Sequence, residues 1–431
     1  MKFARYECLH TAKILLFFIA ITGMMSIGFM LHLRPEVSET EKRTLAKFPQ
    51  ISAIGLWDGT YFRDISKWYA DTYPLREEMI SLKSSLENLY GNRNEQIIFA
   101  AAPKEPQTSD SEETAPPQEK QEEENLPDGT VRNTGEICQG IYIVNNRGYE
   151  LYTFLEDLNL NFIATMNKIY ERISPKVNMY VMMVPTAAGV MIDDNIMLSM
   201  SLSSQTAAID YINERLDPGI KKVDTIHILK KHNAEYIYFG TDHHWTARGA
   251  YYAYVSFCRA KGIEPHDIND YESVSYPGFL GTLYAFSKKS PALAANPDTV
   301  VAYIPKGTNR MTVFENVGKG GECNIINDLS SGHPSALYST FVMGDHPFSY
   351  AHNETIKDGS AVLLIKDSMG NALVPWLVDH YEHIYWADAR YINSTISRLV
   401  AAYNIKDVIF EVGIYNGAKP DMHKRYDEIG R

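Results

Sequence analysis

Two segments of this chain contain residue types that together can catalyse acyl transfer. The first is TDHHWT, residues 241–246, in which Asp242 and His244 are separated by one residue. An extended local backbone would point these two side chains to one side, with His243 and Trp245 on the other. A carboxylate beside an imidazole can orient the ring and stabilise its protonated form, as a general base requires. The same spacing also occurs in polar turns that cap helices, so this segment alone leaves both interpretations open.

The second segment contains a candidate nucleophile, Ser368. The apolar run 362–365 predicts a buried strand, and an apolar helix is predicted over 369–379, so Ser368 lies in the turn between them. A hydroxyl in such a turn is exposed at the edge of a sheet, where helix N-terminal amides can stabilise an oxyanion. The alternative is that Ser368 is an ordinary helix cap. Because one domain contains both segments, we interpret Asp242, His244 and Ser368 as the acid, base and nucleophile of a serine hydrolase or acyltransferase.

Metal binding is a further interpretation of TDHHWT, through Asp242, His243 and His244. It is less favoured, because the side chains of adjacent histidines diverge and the chain has no H-E-x-x-H spacing. The cysteines have no C-x-x-C spacing, and no cofactor motif is present, so we predict neither a metal nor a cofactor. A disulfide between Cys138 and Cys323 remains open.

Strands and helices are predicted to alternate from residue 131 to the C-terminus. This pattern favours an α/β fold with a mainly parallel sheet and helices on both faces. Several of the predicted strands are continuous apolar runs of the kind that is buried on both faces. The predicted strands are 141–144, 177–184, 236–238, 300–303, 341–343, 362–365, 384–386 and 408–412, and the predicted helices are 154–174, 204–216, 246–261, 369–379 and 393–404.

The N-terminal part of the chain predicts a membrane anchor. Residues 14–31 form an apolar run of 18 residues without a charge, and Lys2, Arg5 and Lys13 precede it. This is long enough to cross a bilayer, and the preceding positive charges place the rest of the chain outside the cytoplasm. A cleaved signal peptide is the alternative. We therefore predict a cytoplasmic tail (1–13), a transmembrane signal anchor (14–33), a membrane-proximal helical segment (34–100), a disordered linker (101–130) and the α/β domain (131–431).

The charge distribution excludes one class of partner and identifies the linker. The chain of 431 residues has a net charge of −12, which disfavours nucleic-acid binding because phosphates would be repelled. Residues 101–130 contain nine acidic residues and two lysines, which gives a local charge of −7, and they contain almost no apolar residue. Such a segment cannot bury enough apolar surface to fold, so it predicts a disordered spacer.

These segments resemble the DHHW family of bacterial extracytoplasmic proteins, whose name is the motif of residues 242–245. More distantly, the chain is similar to the SGNH-like domain of the alginate O-acetyltransferase proteins AlgJ and AlgX. The resemblance extends over most of the chain, through SETEKRTLAKFP, YADTYPLRE, the strand that ends in Val184 and Pro185, TDHHWT and LLIKDSMGNALVPWL.

The resemblance assigns roles to individual residues. It implies that Asp242 orients His244, that His244 is the base and that Ser368 is the nucleophile. Their order along the chain is the reverse of that in ordinary SGNH enzymes, so the resemblance implies a permuted version of that fold. Lys366 is a departure, because the segment Lys366-Asp367-Ser368 replaces the Gly-Asp-Ser pattern of those enzymes.

Further residues are candidates for substrate binding or for an oxyanion site. Asn416 could also belong to a routine Asn-Gly turn, Asp388 and Arg390 could form a surface ion pair, and aromatic residues such as Trp245 are often core residues. The candidates are His243, Trp245, Asn371, Asp388, Arg390, Tyr391 and Asn416.

The resemblance implies a membrane-anchored, extracytoplasmic O-acetyltransferase or acetylesterase that acts on a cell-surface polysaccharide. It also implies that a separate multi-pass membrane O-acyltransferase supplies the acetyl groups. The alternative is a non-catalytic carbohydrate-binding or scaffold protein of a polysaccharide or spore-surface assembly, and the unusual Lys366 is its best support.

Overall fold

The computed structural model describes Arg34 and residues 37–38, 43–44, 46–51, 60–74, 127–173, 176–314 and 320–431. The chain forms two compact units, Met1–Ile98 and Phe99–Arg431. Within the described ranges, no helix has the length and apolar character needed to cross a membrane. The predicted tail (1–13), the predicted anchor (14–33) and most of the predicted linker lie outside the described residues.

In the first unit, a short hairpin of β1 (Val37–Ser38) and β2 (Arg43–Thr44) precedes helix α1 (Thr60–Asp71). Trp68 of α1 is buried, and the guanidinium of Arg34 lies 3.9 Å from the centre of its ring. Helix α1 lies within the predicted membrane-proximal helical segment (34–100), most of which is outside the described residues.

The second unit contains strands β3 to β15 and helices α2 to α12. Its strands are β3 (Glu136–Cys138), β4 (Ile141–Val144), β5 (Arg147–Glu150), β6 (Asn178–Val184), β7 (Lys221–Lys222), β8 (Ser273–Phe279), β9 (Asp298–Tyr303), β10 (Arg310–Phe314), β11 (Gly321–Asn324), β12 (Phe348–His352), β13 (Ala361–Lys366), β14 (His383–Asp388) and β15 (Asp407–Gly413). Its helices are α2 (Glu156–Ile173), α3 (Ala187–Met191), α4 (Asp194–Ser199), α5 (Gln205–Arg215), α6 (Thr225–Lys231), α7 (Ala247–Lys261), α8 (Thr282–Phe286), α9 (Pro291–Ala294), α10 (Val374–Leu377), α11 (Ile396–Tyr403) and α12 (Pro420–Ile429).

The main sheet has eight strands in the order β11-β10-β12-β14-β13-β15-β6-β7. Strands β14, β13, β15, β6 and β7 are parallel, whereas β12, β10 and β11 add an antiparallel extension beside β14. All residues of β13 are buried. Because side chains alternate between the faces of a strand, both faces of the sheet centre are covered. The α/β prediction is confirmed as a mixed sheet with a parallel centre.

The parallel strands end at one common edge of this sheet. Lys366 at the end of β13 is paired with Asp388 at the end of β14, and Gly413 at the end of β15 is paired with Val184 at the end of β6. Residues that follow these strands therefore lie next to one another, and Ser368 is among them.

Two predicted strands are wrong. Residues 236–238 form only a single bridge, between Tyr238 and Trp245 of the TDHHWT loop itself. Residues 341–343 form a turn, because Val342 and Met343 have φ angles of 49° and 55°, in the left-handed region that strands do not use. Apolar composition had suggested both strands, but backbone geometry closes these segments into turns.

The predicted helix 369–379 is also wrong as a continuous element. A 3-10 turn covers Ser368–Ala372, α10 follows it, and a second 3-10 turn covers Val378–His380. Pro375 has no N–H to donate and so prevents one long helix.

Two predicted strands belong to smaller sheets. Strand β4 pairs with β3 and β5, and β9 pairs with β8. Three cysteines lie in the described part of the chain and all are free thiols, so the open question of a Cys138–Cys323 disulfide is answered against pairing.

Candidate active site

The TDHHWT segment forms a tight loop that closes on itself before α7. Phe239 N–H donates to the His244 carbonyl at 3.2 Å, and Thr246 N–H donates to the Ile237 carbonyl at 2.9 Å. Thr246 caps α7, because its side chain accepts from Gly249 N–H. The loop therefore has a defined backbone on which the two histidines are held.

Asp298, at the start of β9, fixes the beginning of the loop. Its carboxylate accepts hydrogen bonds from Gly240 N–H at 2.8 Å, and from the N–H and the hydroxyl of Thr241 at 2.6 Å each. The Tyr236 hydroxyl donates to the same carboxylate at 2.6 Å. These charge-assisted bonds anchor the start of the loop.

Asp242, His244 and Ser368 form a continuous hydrogen-bonded series. Asp242 Oδ1 lies 2.5 Å from His244 Nδ1, and His244 Nε2 lies 2.8 Å from Ser368 Oγ. Asp242 and His244 are buried, whereas Ser368 is half-buried and can be reached from solvent. This arrangement allows the imidazole to accept the Ser368 proton while the carboxylate fixes the tautomer of the ring.

The carboxylate of Asp242 is held on both of its oxygens. Oδ1 also accepts from His244 N–H, and Oδ2 accepts from the N–H and the hydroxyl of Thr282, at 2.7 and 3.0 Å. Burial alone would raise the pKa of Asp242, but His244 and His243 beside it and these hydrogen bonds hold that pKa well below its usual range. Gly281 permits this close approach, because a Cβ atom there would lie 2.2 Å from Asp242 Oδ2.

Two aromatic residues hold His244 against the serine turn. Tyr338 stacks on the His244 ring, with 3.8 Å between centroids, and its hydroxyl donates to the Ser368 carbonyl at 2.9 Å. Trp245 is fully buried, and its indole N–H donates to the Met369 carbonyl at 2.8 Å. A substrate cannot reach this indole, so the prediction of Trp245 as a substrate-binding residue is wrong.

His243 lies on the same side of the loop as His244, although an extended backbone would have separated them. The two rings are 3.8 Å apart, and His243 Nδ1 lies 2.5 Å from the Thr282 hydroxyl. The loop bends at this point, which brings both rings toward Thr282. Burial and the neighbouring His244 lower the pKa of His243, so the ring is neutral near pH 7. His243 is partly exposed beside His244, where a substrate can contact it.

Asp367 organises the turn that presents Ser368. Its carboxylate accepts from Met369 N–H at 2.9 Å, from Gly413 N–H at 2.9 Å and from the Asn416 amide at 2.5 Å. Asp367, rather than Ser368, is therefore the cap of this turn, and the Ser368 hydroxyl is left to His244. The predicted oxyanion donor Asn416 uses its amide to hold Asp367, so in this arrangement it supports the turn.

A buried ionic network lies beneath the serine turn. Lys366 is fully buried, and its Nζ lies 3.4 Å from Asp345 and 3.7 Å from Asp388. Arg390 binds Asp388 through two bonds of 2.8 and 2.6 Å, and Asp345 through one of 2.7 Å. Asp388 and Arg390 therefore form the ion pair that was the alternative to a substrate-binding role, but the pair does not lie at the surface, because Asp388 is completely buried. Buried charges of this kind are stable only when each is paired.

Asn371 and Tyr391 occupy different positions around this network. Asn371 is buried and donates to Asp345 at 2.9 Å, so it belongs to the network. Tyr391 is 48% exposed, and the Arg390 guanidinium lies 5.1 Å from the centre of its ring. Of the predicted substrate-binding residues, Tyr391 is exposed and His243, Arg390 and Asn416 are half-buried, so these four present surface to solvent.

The sequence did not reveal several residues that hold the site. These residues lie far from both motifs along the chain, in segments without a recognisable pattern. Only the fold brings them to the loop and to the serine turn. They are Thr282, Asp298, Tyr338 and Asp345.

Comparison with known proteins identifies relatives of this fold. The chain is similar to the crystal structure of a DHHW family protein from Eubacterium siraeum, with a TM-score of 0.62 and 27% identity over 68% of this chain and 97% of that one. It is also similar to PatB1 of Bacillus cereus with a sulfonyl adduct, with a TM-score of 0.55 and 18% identity over 66% of this chain and 96% of that one. The O-acetyltransferase domain of Pseudomonas putida AlgJ matches at a TM-score of 0.37 and 11% identity, over 67% and 98% of the two chains.

A comparison with curated protein sequences found no match. The DHHW protein family matches residues 41–115 and 117–387, which include the TDHHWT loop and the serine turn. The resemblance on which the sequence interpretation depended is thereby confirmed, and the chain belongs to the DHHW family.

Proposed function

We propose that this protein is a serine-dependent O-acetyltransferase or acetylesterase that acts on a cell-surface polysaccharide. The observation that carries the proposal is the series of contacts from Asp242 through His244 to Ser368, at 2.5 and 2.8 Å. A half-buried serine whose hydroxyl faces a buried, carboxylate-bound imidazole is suited to nucleophilic catalysis. The order Asp242, His244, Ser368 along the chain supports a permuted SGNH arrangement.

In the proposed reaction, Ser368 Oγ attacks the carbonyl carbon of an acetyl ester while His244 Nε2 takes the hydroxyl proton. Asp242 stabilises the imidazolium that forms. Ser368 begins a 3-10 turn in which Met369 N–H and Gly370 N–H already donate to Asp367. The Ser368 N–H at the start of this turn is therefore the backbone group placed to stabilise the oxyanion. His244 then returns the proton to the leaving alcohol, and a sugar hydroxyl or water accepts the acetyl group from Ser368.

Further observations support the proposed substrate class and location. Exposed Tyr391 offers an aromatic face on which a pyranose ring can stack, and half-buried His243 lies beside the base His244. The apolar run 14–31 supports a single-pass anchor in the cell membrane with the catalytic domain outside the cytoplasm. In this arrangement, a multi-pass membrane O-acyltransferase supplies the acetyl donor.

Hydrolysis of p-nitrophenyl acetate by the full chain tests the proposal. We expect release of p-nitrophenol by the native protein, and loss of this activity in Ser368→Ala and His244→Ala. Ser397→Ala is the matched control, because Ser397 is an exposed serine on α11. Equal turnover in the native chain and in Ser368→Ala would reject the nucleophile for this donor, and acetylated polysaccharide would then serve as the second donor in the same comparison.

The same assay separates the two alternatives. A carbohydrate-binding scaffold would bind glycan but would turn over neither ester. A metal-dependent hydrolase is the other alternative, because ligand atoms of Asp242, His243 and His244 lie within 4.8 Å of one another. Its activity would be lost on chelation, whereas the serine mechanism predicts unchanged turnover in excess EDTA.

A further inference from the structure

A second group of potential metal ligands lies at the opposite edge of the main sheet from Ser368. It consists of His352 at the end of β12, His383 at the start of β14, and Glu382 just before β14. His383 is paired with Ala361, the first residue of β13, whereas Ser368 follows the last residue of that strand. Five residue steps along β14 separate His383 from Asp388 at the other end of the strand, about 17 Å at the rise of a strand. This group is therefore independent of the proposed active site.

Strand pairing brings the two histidines together. His352 and His383 are direct partners in the antiparallel pair of β12 and β14, and their rings stack with 5.0 Å between centroids. Paired residues on neighbouring strands project from the same face of a sheet. Their positions are thus set by backbone hydrogen bonds and do not depend on flexible loops.

The two imidazoles converge on one carboxylate oxygen without bonding to it. His352 Nε2 lies 3.8 Å from Glu382 Oε1, and His383 Nε2 lies 3.7 Å from the same oxygen. Both distances exceed the usual hydrogen-bond length of about 3 Å. Neighbouring ligands of a tetrahedral Zn²⁺ site are about 3.3 Å apart, given metal–ligand distances of about 2.0–2.1 Å. The three atoms therefore surround a space that a small shift would fit to a zinc ion.

Neighbouring groups orient the Glu382 carboxylate toward this space. Glu382 Oε2 accepts from Gly359 N–H at 2.7 Å, and Glu382 N–H donates to the Ser360 hydroxyl at 3.0 Å. Oε1 is thereby directed toward the histidines. Supporting contacts of this kind are typical of metal ligands.

His383 has a supporting contact of its own. The Tyr350 hydroxyl lies 2.9 Å from His383 Nδ1, which leaves Nε2 for a metal. The side chains of His352, Glu382 and His383 are 41%, 18% and 32% exposed, so an ion can enter from solvent.

We propose that His352, Glu382 and His383 form a binding site for a divalent transition-metal ion, and Zn²⁺ is the ion that we expect there. Two imidazole nitrogens and one carboxylate oxygen are a ligand set that Zn²⁺ accepts, with water as the fourth ligand. The ion joins β12 to β14, where the antiparallel extension meets the parallel strands. It therefore fastens these two parts of the sheet together.

Zinc titration of the full chain in detergent tests this site. The protein is first stripped with EDTA, and Zn²⁺ binding is then measured in competition with a chromophoric chelator. We expect one zinc ion per chain at this site, and affinity more than about tenfold weaker in His352→Ala, His383→Ala and Glu382→Gln. His227→Ala is the matched control, because His227 pairs with Asp224 but has no second histidine in its pair.

His243→Ala distinguishes this site from the other cluster of potential ligands, at TDHHWT. We expect His243→Ala to bind zinc as the native chain does. We also expect zinc to raise the melting temperature of the native chain but not that of the His352→Ala/His383→Ala double variant. Tyr350→Phe, which keeps every ligand, should weaken binding without unfolding the chain. Binding that survives in the double variant, or a native chain that binds no tighter than that variant, would overturn the proposal.

Discussion

Replacing Asp242 with asparagine changes one atom of the proposed site and leaves its shape almost unchanged. Both carboxylate oxygens of Asp242 accept hydrogen bonds, one from His244 and the other from Thr282. An amide has only one acceptor oxygen, so its NH2 group must face one of these two donors. Each oxygen also faces a backbone N–H, that of His244 at 3.1 Å and that of Thr282 at 2.7 Å, and the shorter bond together with the Thr282 hydroxyl favours keeping the acceptor oxygen toward Thr282. The amide therefore directs its NH2 toward His244, and the ring must change tautomer to accept from it.

The changed tautomer places a proton on His244 Nε2, the atom that must take the proton of Ser368. We expect Asp242→Asn to lower kcat by about 10⁴-fold, which corresponds to about 5.4 kcal/mol in the activation free energy. KM should change little, since Asp242 is buried and contacts no substrate. The measurement is the rate of p-nitrophenol release at saturating p-nitrophenyl acetate, with circular dichroism to confirm the fold.

Thr282→Val is the matched control for this change. It removes the hydroxyl that donates to Asp242 at 3.0 Å and keeps the backbone N–H at 2.7 Å. A reduction of kcat of about 10- to 150-fold at most is expected, far less than for Asp242→Asn, because one hydrogen bond to a charged group contributes about 1.5–3 kcal/mol. If folded Asp242→Asn retained kcat within tenfold of the native value, the orienting role of Asp242 would be refuted.

Three further changes test how the fold supports the site. Trp245→Phe removes a buried indole donor and should lower the free energy of unfolding by about 2–3 kcal/mol, measured with urea; an unchanged value would contradict the core position. Gly281→Ala places a methyl group against Asp242 and should lower the free energy of unfolding by about 1–3 kcal/mol and reduce kcat. Full activity would show that the loop can move to accommodate the methyl group. Burial and the nearby His266 lower the pKa of His380 from 6.5 to about 4, so the folded state favours the neutral ring. Stability from this residue is complete above pH 6.5 and declines as pH falls toward 4, by no more than about 1.4 kcal/mol per pH unit. His380→Gln should make the urea midpoint less sensitive to pH in that window, and an unchanged pH dependence would refute this assignment.

Local sequence patterns were sufficient to predict the strands at the centre of the sheet. The runs 362–365, 384–386 and 408–412 lie in β13, β14 and β15, because long apolar stretches fit strands that are buried on both faces. The antiparallel strands β10 to β12 were not predicted, since their short alternating segments are difficult to distinguish from loops.

The proposed site could be predicted only in part, for a physical reason. Asp242 and His244 are neighbours in sequence, and Ser368 follows a strong strand signal, so each had a local pattern. Thr282 and Tyr338 contact the site through the fold alone, and their residue types carry no signal of that role. The burial of Asp388 was missed because a charged residue is expected at the surface unless its partners are known.

The most direct test of the account is covalent labelling of the native full chain with a fluorophosphonate, followed by mass spectrometry of its peptides. A sulfonyl fluoride, which also reacts with activated serine hydroxyls, is a suitable second reagent. The account predicts one adduct, on Ser368, that forms equally in Ser397→Ala, is absent in Ser368→Ala and forms far more slowly in His244→Ala. An unlabelled native chain, or an adduct on a different residue, would contradict it.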